Sequence, residues 1–260
     1  MSRRTQGDLS ADGVGFGRAA VVGAGVMGSG IAQTFAVAGL ETVCIDLNDK
    51  VLERASARVV EGRYGLARAH SRGYLHEAVD DVMARLRFST DLQSGLRGCD
   101  LVVEAVPEDL GLKVRLFRQL DHLADPGCVL VSNTSGFPIS GLAYVTDRPE
   151  LVLGWHWASP PVLMPFAEIV VHPESDNDAV QKLRALAGLC GKRPVLVKDQ
   201  PRSWGFVANR VYAAMIGEAR RVVDEGLVSA EELDQLMMDC FNWPIGPLGM
   251  GRSAQSGWES

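Results

Sequence analysis

From position 18 to about 200, short runs of β-branched and apolar residues alternate with stretches whose apolar positions recur every three or four residues. The apolar runs fall at 19–23, 41–46, 86–89, 100–105, 128–132, 151–155, 167–171 and 194–197. Several are apolar throughout rather than at every second position, as parallel strands covered on both faces should be. Strands alternating with helices predict an α/β fold built on a doubly wound sheet. The connection between the second and third runs is longer than an ordinary crossover. It reads as two helices, 49–69 and 74–83, hinged at Ser71-Arg72-Gly73: a helical hairpin inserted into the domain and standing off the sheet. Beyond Asp199-Gln200-Pro201 the strand pattern stops. Helical periodicity then covers 206–225 and 229–240, with Gly226 as a terminator and Ser229 with Glu232 as a capping box. The chain thus divides into a frayed tail over 1–17, a large sheet domain over 18–200 and a small all-helical domain over 201–260.

Composition narrows the classes. A net charge of −6 speaks against a nucleic-acid partner, because phosphate neutralisation needs surplus Lys and Arg. No apolar run approaches the ~20 residues that span a bilayer, so no membrane partner is expected. Arg3 and Arg4 are followed by no apolar core, which marks the tail as neither a signal peptide nor a twin-arginine leader. The five cysteines, Cys44, Cys99, Cys128, Cys190 and Cys240, are odd in number and never spaced as metal pairs. They read as reduced thiols in a cytoplasmic protein with no metal site.

The first candidate chemistry is Gly23-Ala24-Gly25-Val26-Met27-Gly28, which ends one strand and opens a helix over 27–38. Gly23 permits a tight turn, Gly25 lets the backbone approach a pyrophosphate, and Gly28 lets the helix pack on the strand. The helix N-terminus then faces the anion. Asp46 closes the next strand, where a carboxylate accepts ribose hydroxyls. A glycine-rich turn alone often serves only packing. The strand before it, the helix after it and Asp46 together make this a Rossmann dinucleotide site. Because Asp46 would repel a 2′-phosphate, the expected cofactor is NAD rather than NADP.

His156, between Trp155 and Trp157, would by itself read as a satisfied core side chain. Glu168 alters that reading, since it lies in the next strand, after Pro160, Pro161 and Pro165, where the chain can turn back on itself. Oxidising a secondary alcohol needs a base for the hydroxyl proton, a task suited to histidine near neutral pH. A buried carboxylate would fix its tautomer and stabilise the imidazolium.

Four further runs carry a resemblance: Asp100-Leu-Val-Val-Glu-Ala-Val-Pro-Glu-Asp-Leu110, Ser132-Asn-Thr-Ser135, Gly191-Lys-Arg-Pro-Val-Leu-Val-Lys-Asp199 and Gly205-Phe-Val-Ala-Asn-Arg210. In order and spacing, from about Arg18 to Met250, the chain resembles the 3-hydroxyacyl-CoA dehydrogenases. The resemblance implies His156 as base and Glu168 as its partner, with Ser135 and Asn209 hydrogen-bonding the substrate oxygen. It also implies that Glu108 and Lys113 line the nicotinamide-ribose side, that Met27 lies in the phosphate loop, and that the protein is a homodimer. An acyl-CoA substrate would suit Arg54, Arg58 and Arg68, which share one face if 49–69 is a single helix. That face reads either as a docking stripe for coenzyme A phosphates or as an ordinary solvated surface.

The chain departs from the family in places. The usual His-Phe-Phe-Asn-Pro is here His156-Trp157-Ala158-Ser159-Pro160, so Ser159 stands where an asparagine meets the cofactor. The proline-rich stretch after it also resembles the lambda-crystallin (gulonate dehydrogenase) branch, whose substrates lack coenzyme A. Three functions therefore stand open: an (S)-3-hydroxyacyl-CoA dehydrogenase, a dehydrogenase of a free or carrier-bound hydroxy acid, and a dinucleotide-binding protein without turnover. The presence of both His156 and Glu168 argues against the third.

Overall fold

The structure is a computed structural model describing residues 15–202 and 204–250. The chain forms two compact units, the first reaching Ser203 and the second starting at Trp204. In the first unit all eight expected strands form: β1 (Arg18–Val22), β2 (Glu41–Ile45), β3 (Leu86–Ser89), β4 (Leu101–Glu104), β5 (Val129–Ser132), β6 (Val152–Trp157), β7 (Phe166–Val171) and β8 (Arg193–Lys198). They make one sheet in the order β3-β2-β1-β4-β5-β6-β7-β8. Neighbours are parallel except β6 and β7, which run antiparallel. The central strands β4, β5 and β6 are buried along their whole length, which explains why they read as unbroken apolar runs.

Among the helices, α1 (Val26–Val37) follows β1, α6 (Leu110–Leu123) follows β4, and α8 (Asn177–Leu189) joins β7 to β8. The short α5 (Leu92–Leu96) and α7 (Ile139–Ala143) complete the crossovers. Asn48, Asp91, Asp109 and Asp176 each accept a backbone N–H at a helix start, the capping role for which such side chains are favoured.

Three expectations need correction. The helix expected over 49–69 is broken into α2 (Asp49–Glu61) and α3 (Leu66–Ser71), and 74–83 is helical only as α4 (Val79–Ala84). A Cβ at Gly65 would stand 2.6 Å from the Val60 carbonyl, so this turn relies on glycine, and Gln33 holds it by bonding the Tyr64 carbonyl. The insertion also stands off the sheet less than expected, because Leu52, Ala55, Val59, Leu66, Leu75 and Val82 belong to the main core. The expected tail over 1–17 is too long at its inner end. Phe16 is buried in that core, and the Gly17 and Arg18 N–H groups bond the Asp100 carboxylate. The remainder of the tail, 1–14, lies outside the described residues.

The second unit contains α9 (Val207–Asp224) and α10 (Ala230–Phe241). The Ser229–Glu232 capping box forms in both directions at the start of α10. Asp234 accepts the N–H groups of Leu248 and Gly249, each at 2.8 Å, tying the last described turn to α10.

Candidate active site

The glycine loop has the form of a phosphate cradle. Gly23 has φ +102°, its N–H bonds the Ile45 carbonyl, and a Cβ there would stand 2.6 Å from the Ala105 carbonyl. A Cβ at Gly28 would overlap the Gly23 carbonyl, so α1 packs against its own entry turn only because that residue has no side chain. At Gly25, by contrast, a Cβ would meet nothing within 4 Å, which leaves the backbone open to an approaching group. The first turn of α1 has no side-chain cap and no acidic residue, so its N–H groups are offered to an anion. Asp46, just past β2, accepts the N–H groups of Ala24 and Leu47, both at 2.8 Å. It thereby braces the loop, while an ionised carboxylate keeps lone pairs for ribose hydroxyls. Met27 is the second residue of α1 and packs against the core. The open backbone, uncapped helix end and carboxylate together fit a dinucleotide.

The expected base lies deeper. The apolar run 151–155 puts His156 near a strand end, but β6 continues through Trp157 and includes it. The antiparallel register pairs His156 directly with Glu168. Both are buried, and His156 Nδ1 lies 2.8 Å from Glu168 Oε2. Because a carboxylate only accepts, Nδ1 is the donor, and that tautomer makes Nε2 the basic ring atom. The Phe166 ring meets the imidazole edge-on, with centroids 5.4 Å apart. On the opposite face of β6, Trp155 and Trp157 pack with Phe35.

A second cluster joins the ends of β4 and β5 to α6. Lys113 is buried and pairs with Glu104 at 2.6 Å and with Glu108 at 3.2 Å. Glu104 also accepts from the Val106 N–H and, at 2.5 Å, from the Ser132 hydroxyl. Burial pushes the Glu104 carboxyl up, and the Lys113 ammonium is the main force in the other direction. Glu108 in turn accepts the Thr134 hydroxyl and the Ser135 N–H. The structure thus brings Ser135, Glu108 and Lys113 together. Asn133 Oδ1 accepts the Trp157 N–H, linking this cluster to the strand of His156. Sequence reasoning gave no role to Glu104, Ser132 or Asn133. A charged residue in the apolar run 100–105 was the available signal for the first.

The remaining expected residues fall on other elements. Ser159 lies in the loop between β6 and β7, and Asn209 in the first turn of α9, in the second unit. The arginines do not share one helix. Arg54 and Arg58 are on α2 and Arg68 is on α3. Arg58 donates to the Ser29 hydroxyl, in the first turns of α1, at 3.0 Å.

Comparison with known proteins accounts for both units. Residues 18–200 match the 3-hydroxyacyl-CoA dehydrogenase NAD binding domain, and residues 205–258 match the C-terminal domain of the same family. A probable 3-hydroxybutyryl-CoA dehydrogenase of Deinococcus radiodurans is 38% identical over 228 residues, covering 88% of this chain and 80% of the relative. The crystal structure of (S)-3-hydroxybutyryl-CoA dehydrogenase from Ralstonia eutropha has a TM-score of 0.83 at 36% identity, covering 90% of this chain and 80% of that one. A 5-formyl-3-hydroxy-2-methylpyridine 4-carboxylate 5-dehydrogenase of Mesorhizobium japonicum is 34% identical, covering 87% of this chain and 70% of the relative. With its glycine cradle, its buried His156–Glu168 pair and both domains matched, the chain belongs to the 3-hydroxyacyl-CoA dehydrogenase family, whose members are NAD-dependent oxidoreductases.

Proposed function

We propose that this protein interconverts an (S)-3-hydroxyacyl-CoA of 3-hydroxybutyryl type and the corresponding 3-ketoacyl-CoA. The observation that carries the reading is the buried hydrogen bond between His156 and Glu168. When bound, NAD supplies the hydride acceptor and donor. His156 Nε2 takes the hydroxyl proton during oxidation and returns it during reduction, while Glu168 holds the ring and stabilises its charged form. Ser135 and Asn209 hydrogen-bond the substrate oxygen as it passes between hydroxyl and carbonyl. Glu108, Lys113 and Ser159 serve the nicotinamide-ribose side. Gly23, Gly25, Gly28 and Asp46 serve the pyrophosphate and adenosine ribose.

A second reading, a free hydroxy-acid substrate, has two supports. Arg58 is engaged at α1 rather than standing in a continuous arginine stripe, and one relative is named for a pyridine carboxylate. NADH oxidation with acetoacetyl-CoA, free acetoacetate and a sugar acid side by side decides between them. Turnover confined to the thioester is the expected outcome. Faster turnover of a free acid would overturn the acyl-CoA reading.

The protein also reads as a homodimer in the cytoplasm. Val207 and Val211 share a face of α9, and both are exposed in the single chain, as are Leu236 and Phe241 of α10. A second copy is the occupant that the family resemblance implies for such a surface. Four of the five cysteines are buried free thiols, which suits a reducing compartment.

A further inference from the structure

Lys192, on the turn between α8 and β8, has no part in the scheme above, yet its ammonium is buried. Among the described residues no carboxylate pairs with it. Its Nζ instead donates to the carbonyls of Pro161 and Met164 and lies 4.3 Å from the centroid of the Trp157 ring. A cation withdrawn from water without a counter-ion is costly, and an apolar side chain of similar length would fill the space at less cost. What an apolar replacement could not do is satisfy two inward-facing carbonyls.

Both carbonyls belong to the loop from Ala158 to Pro165, which joins the strand of His156 to the strand of Glu168 and contains Ser159. The loop is tightly turned, since the Leu163 and Met164 N–H groups both bond the Pro160 carbonyl. On its other side the Pro161 ring lies against Gly30 of α1, so closely that a Cβ at Gly30 would overlap it. The loop is therefore wedged between the helix of the phosphate cradle and the Lys192 ammonium. Trp157, directly after the expected base, is fixed at its backbone by Asn133 and at its ring by Lys192.

We infer that Lys192 is a positioning residue, clamping the 158–165 loop against α1 so that Ser159 and the His156–Glu168 pair keep their places beside the cofactor cradle. The inference rests on the proposed roles of His156 and Ser159. NADH binding is therefore measured beside turnover, because it tests the clamp whatever the substrate proves to be.

Lys192→Met and Lys192→Arg are compared with the wild type for NADH Kd, for kcat and KM with acetoacetyl-CoA, and for thermal melting. With a folded protein, Lys192→Met is expected to weaken NADH binding at least tenfold and to lower kcat. Lys192→Arg, which keeps a cation, is expected to recover NADH binding to within about threefold of wild type. A folded Lys192→Met variant with Kd and kcat within twofold of wild type would overturn the inference. So would an Arg variant as impaired as the Met variant. His156→Gln separates this from the reading of the site: if it turns over normally, the base assignment fails while the NADH data still judge Lys192.

Should Lys192→Met not fold, the wild type carries the test. Burial lowers the Lys192 pKa to about 8, so raising pH from 7.5 to 9.5 removes most of its charge. Cys190, the titratable group that bears on it, has its thiol pushed up to about 12 and stays neutral; its other neighbours are the Trp157 ring and the loop carbonyls. NADH affinity should fall at least threefold over that range, in His156→Gln as in the wild type. Affinity that stays flat in both, with an NMR titration showing that Lys192 loses its proton over that range, would overturn the clamp.

Discussion

At the residue scale, the His156–Glu168 pair is both a chemical device and a buried liability. Removing one member of a buried hydrogen-bonded pair leaves the other's polar group without its partner, so Gln is a cleaner probe than Ala at either position. Loss of a general base typically costs ~10²–10⁴-fold in rate. His156→Gln is therefore expected to lower kcat by that order while NADH still binds. Glu168→Gln should lower kcat in the same direction, and the double variant should lose far less than the two single losses multiplied together. A His156→Gln enzyme keeping more than about a tenth of kcat, with chemistry shown to limit the rate, would remove histidine from the role of base. Asp46 makes a separate prediction. Its carboxylate stands at the glycine loop, accepting two N–H groups, where a 2′-phosphate would meet like charge. Steady-state kinetics should give a higher kcat/KM with NADH than with NADPH, and Asp46→Ala should narrow the gap. Equal values in the wild type would count against Asp46 as the selector.

At the scale of elements, the strand pair β6–β7 does what neither strand could do alone. Its antiparallel register aligns two buried polar side chains on one face while two tryptophans pack on the other. The inserted helices pose a different question. With the break between α2 and α3, Arg54 and Arg58 still share a turn-to-turn face, but Arg58 is bonded to Ser29 and Arg68 belongs to the next helix. Any docking of coenzyme A phosphates here would fall to Arg54 and Arg68. Replacing both by Gln should raise KM for acetoacetyl-CoA and leave KM for the pantetheine thioester, which lacks those phosphates, nearly unchanged. Equal responses of the two substrates would make these arginines a solvated surface.

For the whole molecule, the second unit sets the main question. In α9 only Ile216 and Ala219 are buried, whereas Val207 and Val211 are exposed. Short helices owe most of their stability to packing of an apolar face, so a unit that exposes so much of one has reason to pair. Sedimentation equilibrium over a wide concentration range should give twice the mass of the 260-residue chain. An active species of single-chain mass at micromolar concentration would rule the homodimer out.

Much of this protein was legible along the chain. Short apolar runs mark strands locally, so eight strands could be placed within a residue or two, even β8, whose Val195 and Leu196 are exposed. Glycine spacing reports backbone geometry in the same local way, as at Gly23 and Gly28, and a capping box such as Ser229 with Glu232 is complete within four residues. The break after Glu61 was harder to see, because helical periodicity runs on through Gly62 and Gly65, and the turn is held by Gln33 from another helix. Partners distant in sequence were beyond any local signal. Sequence could suggest that His156 and Glu168 meet, but their 2.8 Å contact follows from the β6–β7 register. Nothing in the run Gly191-Lys-Arg-Pro shows that Lys192 turns inward onto carbonyls some thirty residues earlier, or that Arg58 reaches Ser29. Which polar groups are buried together depends on how the sheet and its helices pack, and only the tertiary structure decides that.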